Sequence, residues 1–199
     1  MVNRLRLITG IRKVGHAGTL DPFATGVLLI CFAGATKQVD QLMGLEKEYV
    51  ATIELGKRTD TDDLTGAVMS EKSFEHVTQE LAAHALQKYH GEFDQIPPAY
   101  SAVKVKGKRL YKLARQGKEI EATPRRVTVY DLQIENFSLP EMALKITCSR
   151  GTYIRALARD LGNDLGCGAF VRALRRTRVG TYRVDAAMSI ADFERDFSR

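Results

Sequence analysis

The sequence is poor in cysteine and has no long hydrophobic run. Its three cysteines, Cys31, Cys148 and Cys167, are an odd number without a Cys-x-x-Cys pair, which argues against a disulfide framework and against a zinc site. The longest apolar run, residues 26–33, is far too short to span a bilayer. The basic N-terminus is not followed by the apolar segment of a signal peptide. We therefore expect a cytoplasmic protein with no membrane partner.

Common nucleotide- and calcium-binding patterns are absent as well. The chain contains neither a GxxxxGK[ST] loop nor a GxGxxG motif. The acidic residues from Asp60 onward resemble a calcium loop, but Thr65 stands where the glycine of the sharp turn belongs. The calcium-loop pattern therefore fails.

Alternating apolar residues predict several strands. Residues 47–56 place Tyr49 on the same face as three apolar side chains, residues 142–148 repeat that alternation, and residues 127–137 are strand-like with a break at Asp131 that suggests a bulge. The apolar run at residues 27–32 predicts a buried central strand.

Helical periods lie between these strands. Residues 74–88 carry apolar residues at helical spacing, and a stripe from Ile154 to Leu161 predicts a second helix ended by Gly162. Ser189 followed by Asp192 is a capping-box pattern that predicts a helix to Phe197. Because strands and helices interleave irregularly over 199 residues, we expect one α+β domain, residues 1–199, with a mixed, mostly antiparallel sheet flanked by helices.

The excess of basic residues is concentrated in two places. Thirty Lys and Arg oppose 24 Asp and Glu, and nine of the basic residues lie between Lys104 and Arg126, interleaved with Tyr100 and Tyr111. A second cluster comprises Arg172, Arg175, Arg176 and Arg178. Such clusters neutralise phosphates, and aromatic rings stack on unpaired bases. A solvated face is the alternative for either cluster, but two in one small domain favour a nucleic-acid partner.

Asp21 lies in the most unusual stretch of the chain, GHAGTLDPFATGVL at residues 15–28. Pro22 fixes its own φ and restricts Asp21 to an extended backbone, while the neighbouring glycines permit close backbone approach. A carboxylate on such a stiff loop is suited to act as a nucleophile. An Asp-Pro turn with a capping carboxylate is the alternative.

The stretch resembles the signature loop of the TruB family of tRNA pseudouridine synthases. Four further segments match that family in the same order, so that the resemblance extends from Gly15 to Gly180. They are KEYVATIELGKRTDTDDLTG, QIPPAYSAVKVKGKRLYKLARQG, CSRGTYIRALARDLG and GAFVRALRRTRVG. The resemblance implies a pseudouridine synthase fold and an enzyme that isomerises a flipped-out uridine, U55 in the T-loop of tRNA, without a metal or other cofactor.

The resemblance assigns three residues to the reacting centre. Asp21 matches the essential nucleophile, Tyr49 the aromatic residue that stacks on the target base, and Arg155 the arginine that pairs with the catalytic carboxylate. These roles suit the chemistry, because a guanidinium favours the ionised form of a carboxylate that burial would otherwise neutralise. Without the resemblance, Tyr49 would be a core or cross-strand aromatic and Arg155 a surface arginine of an amphipathic helix.

Three further residues are implied to contact the RNA. His16 matches a histidine near the flipped base, Lys37 a basic RNA contact, and Leu174 an apolar wall of the uridine pocket. On their own, His16 would be a turn or packing histidine and Leu174 a core residue. The implied partner is the T-stem-loop of tRNA, bound by a monomer.

The chain departs from the family at both ends. Members of the family have a strand and a Lys-Pro-x-Gly segment upstream of the first helix, and an RNA-binding domain, commonly of the PUA type, after the catalytic one. We expect an N-terminally shortened catalytic domain with weakened RNA affinity. The alternatives are a guide-RNA-dependent synthase subunit and an RNA chaperone or inactive fragment that binds tRNA without modifying it.

Overall fold

The computed structural model describes residues 1–101, 103–105, 108–110, 116 and 122–197. Helices in this part of the chain are α1 (Val2–Thr9), α2 (Val39–Gly44), α3 (Gln79–Leu86), α4 (Ile154–Asp164) and α5 (Ile190–Phe197). Short 3-10 segments are Ala33–Gln38, Gln87–Tyr89 and Val184–Ala186. Strands are β1 (Val14–His16), β2 (Thr25–Gly26), β3 (Ile30–Phe32), β4 (Lys47–Leu55), β5 (Lys57–Thr59), β6 (Val68–Glu71), β7 (Gly91–Gln95), β8 (Lys104–Val105), β9 (Lys108–Arg109), β10 (Arg125–Ser138), β11 (Glu141–Cys148), β12 (Ala169–Val179) and β13 (Tyr182–Arg183).

One seven-stranded sheet organises the fold. Its strand order is β13-β12-β4-β11-β10-β7, and β2 pairs with β12 away from this path. The β2–β12 pairing is parallel, whereas the pairings along the main path are antiparallel. Helices α3 and α4 contribute side chains to the same buried cluster as the central strands. The prediction of an α+β fold with a mixed, mostly antiparallel sheet is therefore confirmed.

The alternating strand patterns are confirmed in detail. Ala51, Ile53 and Leu55 on β4 are buried, and so are the four predicted inward residues of β11, Met142, Leu144, Ile146 and Cys148. On β10 the register shifts between Val129 and Asp131, at the break that the sequence predicted. Period-2 alternation was informative here because each of these strands has one face on the core.

The prediction of a central strand at residues 27–32 is wrong. Only Ile30–Phe32 form a strand, which pairs with β1 in a separate two-stranded sheet. The backbone leaves the main sheet at Val27, whose N–H donates to the Arg176 carbonyl (2.9 Å). Val27 is hydrogen-bonded to β12 whereas Cys31 lies opposite Gly15 of β1, so the run is apolar without being one strand.

The predicted helix at residues 74–88 is shorter than expected. It begins at Gln79, and the Thr78 hydroxyl caps it by accepting a hydrogen bond from the Leu81 N–H (3.2 Å). Val77 is buried but precedes the helix, because a Thr cap competes with helix extension at this point. The capping box before α5 is confirmed, since the Ser189 hydroxyl accepts from the Asp192 N–H (3.1 Å).

The apolar stripe of α4 is confirmed, but the predicted helix end is not. Ile154, Leu157 and Leu161 are buried, whereas the helix continues through Gly162 to Asp164. A Cβ on Gly162 would lie 2.2 Å from the Ala169 nitrogen. Gly162 therefore lets α4 lie against the first residue of β12, and it does not end the helix.

The loop between β5 and β6 buries two carboxylates beside α4. Asp62 adopts a left-handed backbone conformation (φ 59°), and its carboxylate lies 3.4 Å from Arg159 Nη1. Burial raises the pKa of Asp62 to about 6, against the attraction of Arg159 and Arg155. The loop is also joined to β12, because the Val171 N–H donates to the Asp62 carbonyl (3.0 Å).

The described residues contain neither a membrane-spanning helix nor a group of metal-ligating side chains. None of their helices is long and apolar enough to cross a membrane. No three of their His, Cys, Asp and Glu side chains come together as a metal site would require. Cys31, Cys148 and Cys167 are buried free thiols.

Gly162→Ala should destabilise the fold. In an ordinary helix Ala stabilises relative to Gly by about 0.5–1 kcal/mol. Here the added methyl would overlap the β12 backbone, and overpacking of this kind costs about 1–3 kcal/mol. Urea unfolding of Gly44→Ala provides the matched control, because Gly44 also lies in a helix and a Cβ added there would have no other atom within 4 Å. Equal stability changes in the two variants would contradict the packing role of Gly162.

Asp62→Asn should become increasingly stabilising relative to wild type as the pH rises. The pKa of Asp62 in the folded protein, about 6, exceeds its ordinary value of 3.8. Its stability contribution is therefore fully present below about pH 4 and is lost as the pH rises through 6. The variant's advantage should grow by about 2–3 kcal/mol across that window. Urea unfolding from acidic to neutral pH measures it, with Asp60→Asn as the exposed control on the same loop; a pH-independent difference would refute the prediction.

Candidate active site

Asp21 lies on the loop between β1 and β2, which a buried arginine holds in place. Arg176 is 1% exposed. Its Nε donates to the Val27 carbonyl (2.8 Å), its Nη2 to the Gly18 carbonyl (3.1 Å) and its Nη1 to the Thr19 carbonyl (3.4 Å). One guanidinium thus binds both ends of the loop. The carboxylate of Asp21 is left 32% exposed.

Glycine is required where this loop meets β12. Gly26 has φ +105°, and a Cβ there would lie 2.1 Å from the Arg176 carbonyl oxygen. No L-amino acid with a side chain fits that approach without moving the backbone. The glycine therefore allows β2 to pair beside Arg176 and brings the Asp21 loop next to the sheet.

Arg155 presents its guanidinium to Asp21 from the first turn of α4. Its Nε donates to Asp21 Oδ2 (2.9 Å) and its Nη2 to Asp21 Oδ1 (3.0 Å), which is a bidentate pair. The remaining donors bind the Thr61 carbonyl (2.9 Å) and the Tyr100 carbonyl (3.1 Å). The Arg155 side chain is only 5% exposed. With four hydrogen bonds in three directions, the guanidinium has a fixed orientation.

A second carboxylate, that of Asp63, faces the same guanidinium. Its Oδ2 lies 3.5 Å from Arg155 Nη1, and its side chain is 6% exposed. Asp63 Oδ1 accepts from the Thr65 N–H (2.9 Å) and from the hydroxyls of Thr65 (2.6 Å) and Thr61 (2.8 Å). The buried Arg155 charge is therefore compensated from behind by Asp63, while Asp21 presents its open side to solvent.

Asp21 forms part of a cleft of about 500 Å³. Its walls combine aromatic and apolar side chains with basic ones, including Tyr49, Tyr100, Val103, Tyr153, Leu174, Lys47, Arg125 and Arg150. Aromatic and apolar walls of this kind suit a planar, uncharged ring. Among the described residues that line the cleft, Asp21 is the one with a carboxylate.

The polar groups of the cleft floor are strongly affected by burial. Burial raises the pKa of Tyr49 to about 12, so its ring remains a neutral wall at physiological pH. Burial, together with the positive charge of Arg176, lowers the pKa of Lys47. Lys47 Nζ donates to the carbonyls of Met43 and Leu45. Lys47 therefore supports the turn into β4 rather than offering a free charge to a ligand.

The structure brings together four of the six residues implied by the resemblance. Asp21, Tyr49, Arg155 and Leu174 all line the cleft. Leu174 is 7% exposed and lies opposite Ala51 in the β4–β12 ladder, whereas Tyr49 lies opposite Arg176. The shared face follows from antiparallel register, which aligns two sequence segments more than a hundred residues apart.

His16 and Lys37 are not among the residues that line this cleft. His16 ends β1 opposite Ile30, and its Nδ1 is buried without a hydrogen-bond partner in the described part of the chain. Lys37 is exposed on the 3-10 segment that follows β3. Their implied contacts with RNA stay predictions, and they would be made outside the pocket itself.

The structure describes the second basic cluster fully and the first one only in part. Of the second cluster, Arg176 is buried, Arg172 pairs with Glu54 and Glu141, and Arg178 pairs with Glu46. The cluster is therefore not one uniform face of unpaired basic side chains, although Arg172 and Arg175 are exposed. Much of the first cluster lies outside the described residues, including Lys106, Tyr111, Lys112, Arg115 and Lys118.

Sequence reasoning missed Arg176 and Asp63 as parts of the site. Arg176 is one of the four arginines of the second basic cluster, and nothing local in the sequence distinguishes it as the buried one. Asp63 belongs to the acidic stretch from Asp60 onward, which resembles a calcium loop but fails its pattern. Both lie within segments that carry the resemblance, which was the available signal for their importance.

Two family models together match nearly the whole chain, residues 6–198. The model of the TruB family pseudouridylate synthase N-terminal domain matches residues 6–154, and that of the tRNA pseudouridylate synthase B C-terminal domain matches residues 155–198. The boundary between them falls within α4. The seven-stranded sheet contains strands from both sides of it.

Similar proteins include tRNA pseudouridine synthase B of Dehalococcoides mccartyi, 45% identical over 98% of this chain and 65% of the relative. That of Clostridium tetani is 43% identical over 98% of this chain and 68% of the relative. The chain thus spans about two thirds of the length of these curated relatives.

Among solved structures, a Cbf5-Nop10-Gar1 complex matches with a TM-score of 0.75 and 28% identity over 98% of this chain and 49% of the matched one. An H/ACA RNP bound to a substrate RNA containing 2'-deoxyuridine matches with a TM-score of 0.70 and 25% identity, over 98% and 47% of the two chains. With a family model covering residues 6–154 and relatives this similar, the chain belongs to the TruB family of pseudouridylate synthases.

Proposed function

We propose that this chain converts a uridine of tRNA to pseudouridine, with Asp21 as the nucleophile and U55 of the T-loop as the target. The observation that carries the proposal is the bidentate pair between Asp21 and the buried Arg155 at the wall of a cleft lined by aromatic and apolar side chains. The relatives that match nearly the whole chain are named tRNA pseudouridine synthase B.

The pair suits nucleophilic chemistry. Two charge-assisted hydrogen bonds from one guanidinium hold the carboxylate in a single orientation. Arg155 is held from other directions by backbone carbonyls and by Asp63. It therefore need not reorganise during the reaction, which is the condition for efficient electrostatic support.

The proposed reaction is an isomerisation that needs no outside reactant. The N1–C1′ bond of uridine breaks, a C5–C1′ bond forms, the hydrogen at C5 is lost and N1 gains a proton. Electrons balance without an oxidant or a reductant, so the chemistry requires no cofactor. The freed uracil must turn before it is rejoined, and the walls formed by Tyr49, Leu174 and Tyr153 suit the retention of a planar ring.

The target uridine must leave its base stack to reach this cleft, because Asp21 lies on the cleft wall. Arg125 and Arg150 line the same cleft and are exposed, and neither makes an ion pair within the part of the chain described. Both guanidinium groups are suited to the phosphates flanking a flipped nucleotide. His16 and Lys37 would make further contacts with the T-stem-loop.

A guide-dependent role is the second candidate, because the solved neighbours include an H/ACA RNP bound to substrate RNA. Identity favours the guide-free interpretation, since it reaches 43–46% with the tRNA pseudouridine synthase B relatives and 25–28% with those neighbours. Activity on a tRNA transcript in the absence of other RNA would decide between them.

Asp21→Asn should abolish turnover and retain tRNA binding. The substitution keeps the shape of the side chain and removes its charge, so the nucleophile is lost while the cleft remains. The measurement is tritium release from tRNA transcript labelled at C5 of uridine, together with filter binding. Asp60→Asn, an exposed carboxyl on the β5–β6 loop, is the control and should release tritium as wild type does. Turnover by Asp21→Asn would refute the assignment, and tight tRNA binding without wild-type release would favour the RNA-chaperone alternative.

Arg150→Ala and Arg125→Ala should each weaken tRNA binding and reduce its salt dependence. Each lost phosphate contact lowers the slope of log K against log salt by about 1 or somewhat less. Arg195→Ala removes the same charge from an exposed arginine already paired with Asp192 and Asp196, and it should leave the slope unchanged. Equal slopes in all four proteins would show that the cleft arginines do not contact phosphates.

A further inference from the structure

Gln95, the last residue of β7, has a polar side chain that is almost completely buried. It is 1% exposed. Its Nε2 donates to the carbonyl of Tyr153 (3.1 Å), and its Oε1 accepts from the N–H of the same residue (2.8 Å). Both hydrogen-bonding ends of the amide are thus used on the backbone of one residue, 58 positions away in sequence.

That residue immediately precedes α4. The helix has no side-chain cap at its N-terminus, and the Tyr153 carbonyl also accepts the N–H of Leu157 (3.1 Å). Gln95 therefore binds the backbone at the point where the helix starts. Arg155 lies two residues further on, so any shift or rotation of this first turn displaces the guanidinium that contacts Asp21.

The segment that follows Gln95 is attached to the same helix at two more points. Arg159 Nη2 donates to the Ile96 carbonyl (2.9 Å), and Arg155 Nη2 donates to the Tyr100 carbonyl (3.1 Å). Pro97 and Pro98 stiffen the backbone between these contacts. Gln95 is thus the first of three contacts between residues 95–100 and α4, and its own contact is made through a side chain that substitution can alter.

We infer that Gln95 is a positioning residue for the reaction: its amide sets the first turn of α4 and thereby the geometry of the Arg155–Asp21 pair. The inference rests on the proposed function of the cleft. A displacement of about 1 Å in a reacting group can lower a rate by about 100-fold. The contribution of Gln95 should therefore appear in kcat rather than in tRNA affinity, because its side chain does not line the cleft.

The first test compares two variants that each remove a hydrogen-bonding group tied to α4. Gln95→Met keeps length and removes both bonds at the start of the helix. Tyr89→Phe removes the hydroxyl that donates to Asp164 Oδ2 (2.7 Å) at the end of the same helix. In single-turnover tritium release, Gln95→Met should lose about 10- to 100-fold in rate with tRNA Kd unchanged. Tyr89→Phe should keep the wild-type rate, although both variants lower the urea midpoint.

The second test restores the two hydrogen bonds by protonating a carboxyl at position 95. In Gln95→Glu the protonated carboxyl can donate to the Tyr153 carbonyl and accept from its N–H, as the amide does. Once ionised, it keeps only the acceptor and faces the carbonyl with a negative charge. Burial raises the pKa of such a group, so the change should fall in an accessible range. The rate relative to wild type should approach 1 in mild acid and fall as the pH rises, while the ratio for Gln95→Met stays flat.

The outcomes separate the claims. A wild-type chain that releases no tritium would overturn both the proposed function and this inference. Wild-type release, with Gln95→Met no slower than Tyr89→Phe, would overturn the positioning role alone. A Gln95→Glu ratio no higher than that of Gln95→Met even in mild acid would do the same, because it would show that restoring both bonds does not restore the rate.

Discussion

The bidentate contact between Arg155 and Asp21 is the interaction on which the rest of the site depends. It joins a loop near the start of the chain to a helix 134 residues later and buries a guanidinium almost completely. Removing such a charge from water costs several kcal/mol unless its donors are satisfied. The structure meets that requirement with Asp63 and with the carbonyls of Thr61 and Tyr100, so both the β5–β6 loop and the segment at Tyr100 must be in place for the pair to exist.

A second buried arginine, Arg176, supports the Arg155–Asp21 pair by holding the loop that carries Asp21. Arg176 makes no ion pair in the described part of the chain, and its guanidinium binds the carbonyls of Gly18, Thr19 and Val27. These carbonyl dipoles replace water around the Arg176 charge. The same hydrogen bonds hold the loop that bears Asp21 at both ends. Arg176 therefore fixes where the loop lies, whereas Arg155 fixes the orientation of the Asp21 carboxylate.

Sequence was informative where the determinants are local. Alternation identified β4 and β11, the break at Asp131 marked a real register shift, and Ser189 identified the start of α5. The resemblance supplied Asp21, Tyr49, Arg155 and Leu174. What could not be predicted depends on long-range packing. An arginine in the run of residues 172–178 has the same local pattern whether it is buried, as Arg176 is, or exposed. The apolar run at 27–32 could not reveal that its two ends hydrogen-bond to different strands.

Helix α4 connects the core to the site. One face carries Leu157 and Leu161 into the packed interior, and the other carries Arg155 and Arg159 to the loops around the cleft. Because a close-packed interior resists displacement, the helix transmits that rigidity to the guanidinium. A cleft held in this way, with apolar walls and exposed arginines, suits the proposed reaction, in which the target base leaves its stack to reach Asp21.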